Sequence, residues 1–121
     1  MRRHNFRKLK IWQEAMDLID ENYFLTATLP DYEKFGLRSQ MNRCSVSIAS
    51  NISEGTSKRT DRHFIKFLDD SLGSAFEWET QLNICFRQNF INEETFLKLE
   101  DRVKALQSKI SNFSETLDPN I

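Results

Sequence analysis

Hydrophobic residues recur along the chain with the spacing of four amphipathic helices. The clearest stripe lies in the segment 35–55, where apolar residues alternate at four- and three-residue steps: Leu37, Met41, Cys44, Ile48 and Ile52. A second stripe in the same segment consists of small residues: Ser45, Ser47, Ala49, Ser50 and Ser53. Because small side chains let a neighbouring backbone approach closely, we expect this helix to contact partners on more than one side. Gly55 is expected to end it in the left-handed conformation common at helix ends.

The flanking segments carry wider apolar stripes, from Leu9 to Tyr23, from Phe64 to Cys85 and from Phe96 to Leu117. Together the patterns predict helices over 6–26, 32–55, 60–89 and 92–117, with Thr60 and Asn92 as N-caps of the last two. Gly36 marks a bend near the start of the second helix. Since the connections are short, consecutive helices should run antiparallel, and we predict an all-α, up-down-up-down four-helix bundle.

The composition supports one domain, 1–121, with a basic arm at 1–5 and a flexible tail at 118–121. Of the 121 residues, 39% are hydrophobic and 29% charged, with only three Gly and two Pro, which suits long helices rather than a sheet. Ten Phe residues and the wide apolar faces of the first and third helices exceed what one bundle core requires. We therefore expect self-association; the alternative is a monomer with a thick aromatic core.

No pattern indicates catalysis, a cofactor or a bound metal. Cys44 and Cys85 make neither a metal spacing nor a disulfide framework, and neither His4 nor His63 has a Glu three residues before it. No phosphate loop or nucleophile motif appears. Because these catalytic patterns are missing, we expect a protein that is not an enzyme. No apolar run reaches the length of a membrane span and no signal peptide is visible, so we expect it to be cytoplasmic, without a membrane partner.

The net charge of −1 conceals a predicted separation of charge along the long axis of the helix bundle. In the predicted topology the start of the first helix and the connection between the second and third fall at the same end. That end collects Arg2, Arg3, Arg7, Lys8, Lys10, Lys58, Arg59, Arg62 and Lys66. Carboxylates gather toward the other end: Asp20, Glu21, Asp31, Glu33, Glu77, Glu79, Glu93 and Glu94. The cations form a candidate nucleic-acid site; the alternatives are a solvated cap or a surface for a protein partner.

Two runs in the second helix carry a family resemblance: Gln40-Met41-Asn42-Arg43 and Val46-Ser47-Ile48-Ala49-Ser50-Asn51-Ile52-Ser53-Glu54-Gly55. They resemble the core motif of the four-helix-bundle proteins encoded in intervening sequences of bacterial 23S ribosomal RNA genes. Further matches cover nearly the whole chain: Leu9-x-x-Trp12-x-x-Ala15, Leu29-Pro30-x-x-Glu33-x-Phe35-Gly36-Leu37, Phe64-x-x-Phe67-Leu68, Gly73-Ser74 and Glu77-Trp78-Glu79-x-Gln81-Leu82.

The family is also similar to the accessory variability determinant of diversity-generating retroelements. That resemblance implies a homopentameric ring that binds RNA or DNA and partners a reverse transcriptase. The alternative is a structural or protein-interaction module with no nucleic-acid binding of its own. Asn51, Glu54 and Gly55 match the family motif, and we expect structural roles for them. Asn51 should satisfy backbone groups, and Glu54 should pair with Arg59 or Arg62.

Overall fold

The computed structural model describes residues 4–121 and contains four α-helices. They are α1, Lys10–Thr26; α2, Leu37–Thr56; α3, Asp61–Arg87; and α4, Glu93–Glu115. Short 3-10 turns, Phe6–Lys8 and Asp31–Glu33, precede α1 and α2, and no strand occurs within the described residues. The predicted all-α class and four helices are confirmed. Within the same residues, no helix combines the length and apolarity that a bilayer crossing requires.

The helices contact one another in chain order around a common core. Packing is closest between α2 and α3, intermediate for α1 with α2 and for α3 with α4, and loosest along the seam between α1 and α4. Small and polar groups let α2 and α3 approach closely: the Ser71 hydroxyl donates to the Ile48 carbonyl at 2.7 Å, and the Cys44 thiol donates to the Ser74 carbonyl at 3.1 Å. The largest fully buried side chains include Trp78, Leu18, Met41, Ile48, Ile52 and Leu68.

The predicted bounds of α3 and α4 are right to within two residues, whereas the predicted starts of α1 and α2 lie too early in the sequence. Leu9 has extended backbone, so the first helix begins at Lys10 rather than near residue 6. The bend expected at Gly36 separates the turn Asp31–Glu33 from α2, which begins at Leu37. Both predicted caps are present: the Thr60 hydroxyl accepts the His63 N–H at 3.2 Å, and Asn92 Oδ1 accepts the Thr95 N–H at 2.8 Å.

Gly55 does not end α2, and this expectation was wrong. The helix continues through Gly55 to Thr56, and no glycine in the described residues has a positive φ. A β-carbon at Gly55 would lie 2.7 Å from Phe64 Cδ1 and 3.0 Å from Phe67 Cβ. Glycine is therefore required here because the start of α3 packs directly on the backbone of α2.

The left-handed residue that ends a helix is Asn89, after α3, with a φ of 62°. The Phe90 N–H donates to the Cys85 carbonyl at 2.9 Å, and the Asn89 N–H donates to the Phe86 carbonyl at 3.0 Å. This pair of bonds is the Schellman arrangement, which satisfies carbonyls at the end of a helix. It turns the chain toward α4 and places Phe90 against the bundle.

A hydrogen-bonded network of polar side chains crosses the core and joins three helices. Trp78 of α3 donates its indole N–H to Asn22 Oδ1 of α1 at 2.9 Å. Asn22 Nδ2 donates to Asn42 Oδ1 of α2 at 2.8 Å, and the Thr26 hydroxyl donates to the same oxygen at 2.8 Å. Trp78 and Asn22 have no exposed surface. Since Asn22 both accepts and donates, it couples the position of α1 to α2 and α3.

Replacement of Asn22 by Leu, Asn22→Leu, should lower the free energy of unfolding by about 2–4 kcal/mol. The reason is that the Trp78 N–H and the Asn42 amide would each lose a buried partner, at about 1–3 kcal/mol per group. Urea unfolding at one fixed protein concentration measures this change. The control is Asn112→Leu, an exposed asparagine of α4, which should shift stability by less than about 0.5 kcal/mol. Equal stability of the two variants would contradict a central role for the network.

Candidate nucleic-acid interface

The start of the chain and the α2–α3 connection meet at one end of the bundle. The His4 ring lies 5.2 Å from the Phe64 ring of α3 and 6.0 Å from the Phe113 ring of α4. The turn Phe6–Lys8 also contacts α2. Seven of the predicted cations therefore lie at or near this end, which we call the basic end: Arg7, Lys8, Lys10, Lys58, Arg59, Arg62 and, one turn further along α3, Lys66. Arg2 and Arg3 lie outside the described residues.

Most cations of the basic end have no carboxylate partner. Within residues 4–121, Lys66 is the one member that forms an ion pair, with Asp70 at 3.6 Å. The cations of α4 differ, because Arg102 pairs with Glu21 at 3.0 Å and Lys109 pairs with Glu14. All members of the basic end are exposed except the half-buried Lys58. Their positive charge is therefore accessible and not neutralised by an ion pair, except at Lys66.

Aromatic rings support several of these cations. Lys58 Nζ and Lys66 Nζ lie 4.8 and 5.4 Å from the centroid of the Phe67 ring. Arg7 Cζ lies 4.7 Å from the centroid of the Phe6 ring. A cation over an aromatic face gains about 0.5–1 kcal/mol at exposed sites. These contacts restrict the long side chains while their charged groups remain at the surface.

Carboxylates also reach the basic end, and the sequence reasoning missed them. The Asp118 N–H donates to Asp61 Oδ2 at 3.0 Å, and the Arg62 N–H donates to the Ile121 carbonyl at 2.7 Å. Glu115, the last residue of α4, is exposed nearby. In an antiparallel bundle the end of the fourth helix must fall beside the start of the first, and that rule could have found these residues.

The opposite end carries exposed carboxylates without ion pairs in the described chain: Asp20, Asp31, Glu93 and Glu94. Other acids from the predicted set have internal partners. Glu21 pairs with Arg102, and Glu79 Oε1 accepts the Gln107 side-chain N–H at 2.8 Å. Lys34 and Arg87 are exposed cations of the same region. The separation of charge along the bundle is therefore partial.

The three motif residues have different environments. Asn51 Nδ2 donates to the Ser47 carbonyl at 3.0 Å and to the Ser47 hydroxyl at 3.1 Å, so it satisfies a backbone group of its own helix. Glu54 is exposed and forms no ion pair with Arg59 or Arg62, within the part of the chain described. The expected Glu54 pair does not form, and in water such a pair would add only about 0–1 kcal/mol. Gly55 has the packing role described above.

The two thiols are poor nucleophiles. Burial, together with a hydrogen bond to the neighbouring Glu77 and the charge of that carboxylate, raises the pKa of Cys44 to about 12. Burial also raises the pKa of Cys85 to about 11, with a smaller contribution from the charge of Glu33. At neutral pH both thiols are protonated, and the thiolate is the reactive form. Among residues 4–121, no three His, Cys, Asp or Glu side chains come together as ligands for a metal ion.

One solved structure gives an independent view of the fold. It is the crystal structure of a protein of unknown function from the S23 ribosomal protein family of Bacteroides thetaiotaomicron. The two chains are 21% identical, with a TM-score of 0.80 over 86% of this chain and 97% of the other. At this identity the similarity shows the shared fold alone. No curated protein matches this chain.

The family resemblance seen in α2 extends over most of the sequence. The family model described as 23S rRNA-intervening sequence protein matches residues 7–112, which include all of α1, α2 and α3 and nearly all of α4. The chain belongs to the family of 23S rRNA-intervening sequence proteins.

Proposed function

We propose that this chain is a cytoplasmic, homo-oligomeric protein without enzymatic activity that binds nucleic acid through its basic end. The proposal rests on one observation. Most cations at that end of the described chain have no ion-pair partner, whereas the cations of α4 each have one. Phosphates would supply the missing counter-charge, and the release of condensed counterions would drive binding.

Several subunits would act together in this binding. One basic end offers few contacts and also contains Asp61, Glu115 and Asp118. Linked sites raise the overall affinity because the second contact is made within the same complex. A ring whose subunits point the same way would repeat the basic end around one rim.

Two apolar faces on opposite sides of the bundle support self-association. The α1–α2 face carries Trp12, Met16, Ile19 and Tyr23, at helical spacing on α1, together with Val46 of α2. The α3–α4 face carries Ile65, Leu72, Phe76 and Leu97. Met16, Tyr23, Val46, Phe76 and Leu97 are between 38% and 53% exposed. Contact between unlike faces of neighbouring subunits is heterologous and generates a ring when the rotation closes. The family resemblance suggests five subunits.

The alternative function is an interaction module without nucleic-acid binding of its own, for example an accessory to a reverse transcriptase. This alternative is implied by the resemblance to accessory variability determinants, and that resemblance stays a prediction. The observation that favours it is the exposure of large aromatic side chains at the end opposite the basic end, with Phe24 81%, Tyr32 78% and Phe35 87% exposed. Aromatic residues of this kind are enriched in protein interfaces.

Structured RNA and single-stranded DNA should bind the protein at low salt, with an affinity that falls steeply as salt rises. The triple variant Lys58→Ala, Arg59→Ala, Arg62→Ala should lose most of this binding and show a smaller salt slope, because fewer phosphates are neutralised. Fluorescence anisotropy at two salt concentrations measures both quantities.

A matched control removes the same charge elsewhere: Lys34→Ala, Arg43→Ala, Arg87→Ala. These exposed cations lie away from the basic end and form no ion pairs within residues 4–121. The control should bind almost as the wild type does. Absence of wild-type binding at low salt would refute the nucleic-acid proposal and favour the interaction module, while equal loss in both triple variants would refute the basic end as the site.

The oligomer should have a mass several times that of the 14.3 kDa subunit. Met16→Lys on the α1–α2 face and Phe76→Lys on the α3–α4 face should each give monomers, because each places a charge in a buried contact. An equimolar mixture of the two variants should form heterodimers, since one intact face remains on each. Light scattering coupled to size-exclusion chromatography measures these masses.

Asn112→Lys is the control, because Asn112 is an exposed residue of α4 that lies toward α1, beside Lys10 and Lys109, and so outside both faces. It should keep the wild-type mass. A monomeric wild type would refute self-association, and a mixture that stays monomeric would refute contact between unlike faces.

A further inference from the structure

A groove follows the loose seam between α1 and α4. Near the middle of the bundle a cavity is lined by Leu18 of α1 and by Ala105 and Leu106 of α4, together with the charged side chains of Glu14, Asp17 and Arg102. At the end opposite the basic end, a cavity of about 320 Å³ is lined by Phe24, Leu25, Phe90 and Leu99, among others. A third cavity, lined by Asp17, Asp20 and Phe24, lies between them and shares residues with both. Because neighbouring cavities share lining residues, we treat the three as one surface, which we call the α1–α4 groove.

The far end of the α1–α4 groove is aromatic and accessible. Phe24 stands at its edge with 81% of its surface exposed. Phe90 lies in the wall, and the ring of Tyr32, itself 78% exposed, packs edge-on against Phe90 at 6.2 Å. The left-handed turn at Asn89 directs the chain here. Large exposed aromatic groups next to a cavity are typical of sites that take up an apolar side chain of a partner.

Along this part of the groove four carboxylates, Glu14, Asp17, Asp20 and Glu21, face three cations, so the net charge is negative. Arg102, Lys98 and Lys109 of α4 are engaged by Glu21 and Glu14 of α1. Asp17 and Asp20 also line the groove, are exposed and have no ion pair in the described chain. An occupant therefore meets cavities with both apolar and charged walls, among which the carboxylates of Asp17 and Asp20 are free of ion pairs in the described chain. Cations on the occupant would complement this rim.

We propose that the α1–α4 groove binds an amphipathic helix of a protein partner, with Lys or Arg beside its apolar face. The groove runs along two helices, and Leu18 and Leu25 in its floor are seven residues apart, or about 10 Å at 1.5 Å per residue. A helix laid along the groove presents side chains at i and i+7 with the same separation. One apolar anchor enters the central cavity, the other enters beside Phe24 and Phe90, and cations between them face Asp17 and Asp20.

This site is separate from the basic end and from the two apolar faces of the proposed oligomer. On α1, the residues Glu14, Asp17, Glu21 and Phe24 lie on the flank toward α4, whereas Met16 and Tyr23 lie on the flank toward α2. The aromatic end of the groove is also remote from the basic end. A partner helix, a neighbouring subunit and nucleic acid could therefore be bound together.

A synthetic helical peptide tests the proposal. It carries Leu and Phe seven residues apart on one face, Lys residues beside them and a fluorescein label, and a control peptide has Glu in place of each Lys. The Lys peptide should bind the full chain, and the Glu peptide should bind at least about tenfold more weakly. Phe24→Ser should weaken binding of the Lys peptide about tenfold or more, as should the double change Asp17→Asn, Asp20→Asn.

Phe35→Ser is the matched control, because Phe35 is 87% exposed at the same end but does not line the groove. It should bind the Lys peptide as the wild type does. Failure of the Lys peptide to bind, or equal weakening by Phe24→Ser and Phe35→Ser, would overturn the proposal. Phe24→Ser should also leave the oligomer mass unchanged. A change in that mass would assign the groove to a second copy of the chain and would likewise overturn a partner helix.

Discussion

The buried side chain of Asn22 determines how three of the four helices fit together. Its amide accepts the indole N–H of Trp78 and donates to Asn42, which also accepts from Thr26. A buried amide is tolerated only where its hydrogen bonds are made, because an unpaired polar group in the core is costly. The network therefore holds α1 in one register against α2 and α3. Sliding α1 by a single residue would break these bonds.

The fourth helix is held differently, and this difference explains where the surface is open. Toward α3, Gln107 donates to Glu79 and the Phe96 ring stacks on Phe86 at 4.4 Å. Toward α1, the side-chain contacts at the surface are ion pairs such as that of Arg102 with Glu21. Exposed pairs of this kind contribute little to stability. The same ion pairs engage Lys98, Arg102 and Lys109 of α4 with Glu14 and Glu21 and leave Asp17 and Asp20 free. The tight core and the open α1–α4 groove thus follow from one distribution of polar groups.

Much of the fold follows from hydrophobic spacing, because a helix that buries one face must repeat apolar residues at three- and four-residue steps. The caps Thr60 and Asn92 were also predictable from residue type alone. Gly55 was misread because glycine serves both at left-handed helix ends and at close helix contacts, and only the neighbours Phe64 and Phe67 distinguish these roles. Asn22 was missed for a related reason: a polar residue in an apolar stripe resembles a surface position until its partner Trp78, far away in sequence, is known.

For the candidate site, the topology brought the predicted cations of the α1 start and the α2–α3 connection to one end. The carboxylates of Asp61, Glu115 and Asp118 lie at the same end, and the pattern of charges along the chain did not indicate that location. Hydrogen exchange of the whole protein, with and without a structured RNA at low salt, distinguishes binding at the basic end from binding elsewhere on the bundle. Binding at the basic end should add protection at residues 5–10 and 57–66, with little change along the α1–α4 groove. Protection centred on the groove or on residues 24–36, with none at the basic end, would contradict it.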